Sequence, residues 1–117
     1  MTKSTNGLKP FGKKAVKVIN NLGGIIDVSH LNEKGFYDIC EISEKPFIAS
    51  HSNSQKMCGH LRNLTDTQIR EISQRNGIIG INLYPYFLED NGNADIKSVI
   101  KHIDHIINVG GENVLGF

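Results

Sequence analysis

Four short apolar runs, at residues 24–28, 46–50, 78–83 and 113–117, alternate with four longer amphipathic segments, and this alternation constrains the fold more than any other feature. Strand and helix repeats of this kind form right-handed crossovers onto a parallel sheet. The expected class is therefore α/β with four parallel strands, either doubly wound or part of a (β/α) barrel. Residues 11–23 follow Pro10, interleave Ala15, Val18, Ile19 and Leu22 with lysines, and close at a glycine pair, as a helix with an apolar stripe and a glycine stop would. Thr65-Asp66-Thr67-Gln68 is a capping box opening the third helix, whose end Asn76-Gly77 marks. The last helix carries Ile96, Val99, Ile100, Ile103, Ile106 and Ile107 at helical spacing. At 100° per residue His105 falls opposite that stripe. His102 and His105, three residues apart, are therefore expected on a solvated face and not as a metal pair.

At 117 residues, with 38% apolar and 21% charged side chains, the chain has the composition of one modest globular domain with a flexible start at residues 1–6. A net charge of +1, with Lys and Arg dispersed, gives no footing for nucleic acid or an anionic membrane. No apolar run approaches a membrane span and Met1 to Asn6 has no signal-peptide core, so a cytoplasmic location is expected. Cys40 and Cys58 form no disulfide framework and no CxxC pair, and read as free structural thiols. Nothing places a base beside Cys58, which argues against a nucleophile.

In either α/β architecture function gathers where strands end, and the segments 51–64 and 84–93 that leave two of those ends are longer than the usual connection of roughly 4–6 residues. Two runs end in the same pair, Ser29-His30 and Ser50-His51. On adjacent strands, spaced about 4.8 Å apart, these imidazoles would meet. They could grip metal that polarises a carbonyl and activates water, or simply be hydrogen-bonded residues at loop starts. Asp27, in an otherwise apolar run, needs a partner: a ligand imidazole N–H or a salt bridge. Arg62 lies eleven residues beyond His51, where a guanidinium fork would suit a substrate carboxylate, although many loop arginines are merely solvated.

The strings LKPFGKKAVKVINNLGGIIDVSH, KPFIASHSNSQKMCGHLRNLTDTQI and GIIGINLYP, in this order and spacing, resemble the second half of the membrane dipeptidase family across residues 7–117. The resemblance implies a (β/α)8 barrel with a two-zinc site that hydrolyses dipeptides. It places His30 and His51 as zinc ligands at the ends of barrel strands five and six, and Arg62 as the arginine that holds the substrate's terminal carboxylate. Residues 78–83 and 113–117 would be strands seven and eight, with Asn82 and Tyr84 at the site-facing end of strand seven as candidate substrate contacts.

The same resemblance implies that the family's His-x-Asp ligand pair, its bridging glutamate, a substrate-binding histidine and its catalytic aspartate are not among these residues. The isolated chain is therefore expected to be inactive and to bind zinc weakly or not at all. A partial barrel would leave sheet edges and an apolar inner face exposed, so association as a homodimer or with a complementary half-barrel is expected. A non-catalytic half-barrel module, or a fragment of a related amidohydrolase-type barrel, are the competing readings.

Overall fold

The computed structural model describes residues 5–116. The expectation of a flexible start therefore falls largely on residues 1–4, outside the described residues, as does Phe117 of the fourth run. Among the described residues five helices form: α1 (Pro10–Asn21), α2 (Glu33–Ile42), α3 (Asp66–Gln74), α4 (Pro85–Leu88) and α5 (Ile96–Gly110). A 3-10 turn, Glu112–Val114, precedes the final strand.

Local chemistry sets the helix starts. Pro10 occupies the first turn of α1, where its missing N–H costs nothing, and the helix is followed by Gly23 at φ 76°. Asn32 caps α2 by accepting the Gly35 N–H at 2.8 Å. The capping box at α3 forms as expected: the Thr65 hydroxyl accepts the Gln68 N–H while the Gln68 side chain accepts the Thr65 N–H. Asp95 and Ser98 repeat that arrangement at α5.

The apolar runs lie side by side, parallel and in chain order, as one wall of a barrel would require, but they are far shorter as strands than expected. Among the described residues only β1 (Ile79–Gly80) and β2 (Leu115–Gly116) form a sheet, with Ile79 opposite Leu115. The first two runs join through single parallel bridges, Asp27 to Ile48 and Ala49 to Ile79. The sheet is thus two-stranded, not four-stranded, and the reason is visible in the hydrogen bonds. Ala49 N–H donates to Ile78 O and Ser52 N–H to Gly80 O, but the intervening donors leave the ladder: Ser50 N–H goes to Asp27 Oδ1 and His51 N–H to Ser29 Oγ. Side chains of the first run replace backbone carbonyls and bulge the second out of register. Gly80 permits the close approach, since a Cβ there would lie 2.1 Å from the Ser50 carbonyl oxygen.

The core lies between the runs and the helices. Phe36, Ile39, Phe47, Ile69, Ile72, Ile79 and Ile106 are buried there, and α3 packs on α5. The opposite side of the first run is open: Ile25 is 69% exposed and Asp27 is exposed. Asp27 therefore does not bear the burial expected of it.

The apolar stripe of α5 is rotated from the one its isoleucines suggest. Ser98, His102 and Ile106 are buried, whereas Ile96 and Ile100 are exposed. His102, expected on a solvated face, is fully buried because both ring nitrogens are satisfied: Ser54 N–H donates to Nδ1 at 3.1 Å and Nε2–H donates to Leu88 O at 2.9 Å. His105 is not free in solvent either. Its Nε2 lies 2.7 Å from Asp66 Oδ1 in the first turn of α3, joining the two helices.

Both cysteines are free, Cys58 buried and Cys40 half-buried, and burial pushes each thiol up to about 11. A thiol so raised is a poor nucleophile at neutral pH, in keeping with a structural reading. Among the described residues no helix is long and apolar enough to cross a membrane.

Candidate metal centre at the strand ends

His30 follows the first run and His51 the second, and the single bridge between Asp27 and Ile48 aligns the two ends. The imidazoles converge with Nε2 atoms 2.9 Å apart and ring centroids 4.9 Å apart. Both nitrogens meet Arg62, whose Nη2 stands 3.3 Å from His30 Nε2 and 3.4 Å from His51 Nε2. Three residues singled out from sequence, separated by up to 32 positions, thus share one spot.

Arg62 is held in place from behind. Its Nε–H donates to the Ser29 carbonyl at 3.2 Å and its guanidinium lies 5.5 Å from the Phe87 ring centroid. Arg62 in turn affects His30: its positive charge, then burial, then His51 hold the His30 imidazole below the ordinary histidine range.

Asp27 reaches His51 only through Ser50. The Ser50 hydroxyl donates to Asp27 Oδ2 and lies 2.7 Å from His51 Nδ1. Partial desolvation of the carboxyl opposes ionisation of Asp27 even at this exposed position, but hydrogen bonds from the Ser50 side chain and backbone and from Ser29 outweigh it, so the carboxyl titrates below its usual range. Among the described residues no Lys or Arg pairs with it. Its partners are Ser50 and Ser29, neither an imidazole N–H nor a basic side chain.

Asn82 and Tyr84 lie near the end of β1 with different surroundings. Asn82 is tied into the loops: its amide nitrogen donates toward His51 O at 3.4 Å and its Oδ1 accepts the Tyr84 N–H at 2.9 Å. Tyr84 is 53% exposed, with its ring against Tyr86 and Phe87. The loops that carry these residues are fastened by Asn53, which sequence reading passed over. Its buried amide exchanges two bonds with the Asn82 backbone, each 2.8 Å, mimicking a missing rung of sheet. Asn63 adds bonds to Cys58 O and Phe87 O. A cavity of about 290 Å³ is lined in part by Ser29, Asn32, Gln55 and Arg62, and neither histidine lines it.

The donor set fits part of a zinc site. Zinc–nitrogen bonds of about 2.0–2.1 Å set two imidazole nitrogens on one tetrahedral ion about 3.3 Å apart, a few tenths beyond the separation seen. Among the described residues no third His, Cys, Asp or Glu joins them. Two nitrogens are one short of the three protein ligands usual for catalytic zinc.

The sequence model of the family described as membrane dipeptidase, peptidase family M19, matches residues 1–117. The chain belongs to the membrane dipeptidase family. It is 40% identical over 111 residues to an uncharacterized protein encoded in the pqqA 5′ region of Klebsiella pneumoniae, covering 92% of this chain and 41% of that protein. An uncharacterized dipeptidase of Schizosaccharomyces pombe is 36% identical, with 93% of this chain and 27% of the dipeptidase covered. Among solved structures, a metallo peptidase from Rhodobacter sphaeroides, liganded with a phosphinate mimic of the dipeptide L-Ala-D-Ala, superposes with a TM-score of 0.93 at 36% identity. That match covers 97% of this chain and 34% of the metallo peptidase. An amidohydrolase from Pseudomonas aeruginosa gives a TM-score of 0.88 at 28% identity, covering 96% of this chain and 34% of that one. The chain thus spans less than half the length of these relatives.

Proposed function

We propose that this chain is the histidine-bearing portion of a zinc-dependent dipeptidase site, in which His30 and His51 ligate metal through Nε2 and Arg62 binds the carboxylate of a dipeptide. The convergence of the two Nε2 atoms at 2.9 Å carries the reading, because it supplies paired imidazole nitrogen donors at matched strand ends. Bound there, zinc would polarise the scissile carbonyl and lower the pKa of a water. The residues of the chain orient the reactants. Arg62, braced by Ser29 and Phe87, offers a planar fork to a carboxylate. Tyr84, exposed at the end of β1, and Asn82, which steadies the His51 carbonyl, complete the substrate side.

Two imidazoles cannot hold catalytic zinc in full, so the 117 residues alone bind it weakly and do not turn over dipeptides. The test is a chimera in which this chain replaces the matching segment of the Rhodobacter metallo peptidase. It should hydrolyse a dipeptide with zinc, and His51→Ala in that chimera should lower both zinc content and kcat. A folded chimera that binds no zinc would overturn the assignment, and turnover by the pure chain would overturn the division of labour.

A second reading, an association module, is favoured by two exposed apolar side chains, Ile25 in the first run and Leu83 after β1, each 69% exposed. In that reading the chain pairs as a homodimer or with a complementary half-barrel. Light scattering that gives a monomer at tens of micromolar would remove the homodimer.

A further inference from the structure

We infer that Ser50 is a positioning residue that fixes the tautomer of His51, holding the proton on Nδ1 so that Nε2 presents a lone pair to the shared spot. The inference rests on the metal reading for its purpose but not for its geometry. A serine hydroxyl has one proton to give. Asp27, held ionised by its hydrogen bonds, can only accept, so the proton of Ser50 Oγ goes to Asp27 Oδ2. The remaining contact of that oxygen, 2.7 Å from His51 Nδ1, then requires the ring to donate. In a neutral imidazole with Nδ1–H, the other nitrogen is unprotonated.

The far side of the ring is compatible with this assignment. Arg62 Nη2 lies 3.4 Å from His51 Nε2, which a lone pair there accommodates, but it stands 3.3 Å from His30 Nε2 as well and so does not decide between the two rings. The serine also serves the backbone: its own N–H binds Asp27 Oδ1 at 3.1 Å, so carboxylate, hydroxyl and strand end form one rigid unit. The usual arrangement puts a carboxylate directly on the ligand imidazole. Here the bulge in the second run interposes Ser50, because the residue before the histidine turns toward Asp27 when its N–H leaves the ladder.

Nitrogen-15 spectra of the imidazole rings, recorded on the 117-residue chain without zinc above the usual histidine pKa of about 6.5, test this. His51 should show the Nδ1–H form. Ser50→Ala should shift it toward Nε2–H, and Ser50→Thr, which keeps the hydroxyl, should restore Nδ1–H. Asp27→Asn should shift it as well, since an amide can donate to Ser50 Oγ and release the hydroxyl proton toward Nδ1. That second variant decides the matter if Ser50→Ala fails to fold. An Nε2–H form in the unaltered chain, or Nδ1–H retained in both variants, would overturn the inference. Zinc added afterwards tests the metal reading separately: without change at the His30 and His51 rings that reading fails, while the tautomer result stands.

Discussion

The helix-covered side of the chain and its strand-end rim are held together by different forces. On the helix side, Phe47, Ile69, Ile72, Ile79 and Ile106 have no exposed surface, and burial of apolar area is the adhesive. At the rim, backbone donors that a sheet would satisfy are instead met by side chains: Ser50 N–H by Asp27, His51 N–H by Ser29, Asn82 N–H by Asn53. The difference teaches that this chain spends regular sheet structure to aim two histidines. Its stability and its site should therefore respond to different substitutions.

The largest effect should come from the helix side. Phe47→Ala removes a fully buried ring that packs edge-on against Phe36, and should cost about 3–5 kcal/mol in urea unfolding. Ser50→Ala, at an exposed rim position, should stay within about 1 kcal/mol. Equal losses from the two would break the distinction.

Asn53→Ala sharpens it from the rim. This residue is buried and its amide serves both polar groups of the Asn82 backbone, so truncation strands them and should cost about 2–3 kcal/mol. The loss should be accompanied by altered amide signals at Asn82 and Tyr84 with α3 and α5 unchanged. Uniform changes across the helices would mean that the rim is no separate unit.

Much of the helix side was legible in the sequence because its signals are local. Pro10, the Thr65 capping box and the isoleucine periodicity each act within one or two turns, and α1, α3 and α5 form where those signals lie. The meeting of His30 and His51 was legible too, since matched Ser-His pairs at the ends of adjacent runs must share a face. What could not be read depends on partners distant in sequence. The strands are short because Asp27 and Ser29 capture donors 23 and 22 residues away. His102 is buried by Ser54 and Leu88, 48 and 14 residues distant, and a helical wheel counts only neighbours on the same helix. Ser50 was visible as half of a pair, but its link to Asp27 needs the bulge that no periodicity announces.

His102 joins the two regions, tying the loop after His51 and the end of α4 to α5, and should give the smallest effect, one seen only as a function of pH. Burial lowers its pKa from 6.5; the Leu88 carbonyl opposes this, Lys101 and His105 add to it, and Glu89 works against it. Nδ1 accepts the Ser54 N–H, so a proton there would displace that bond. Because the folded pKa lies below the unfolded one, the unfolded chain takes up the proton first. The contribution of His102 is complete above pH 6.5 and is lost as pH falls through its folded pKa. His30 is lowered as well, so the raw slope mixes the two. The difference between the unaltered chain and His102→Gln isolates His102: urea midpoints should differ most at about pH 8 and converge toward about pH 5.5. A difference independent of pH would show that His102 acts by packing alone, and that the link between helix side and rim does not depend on its proton.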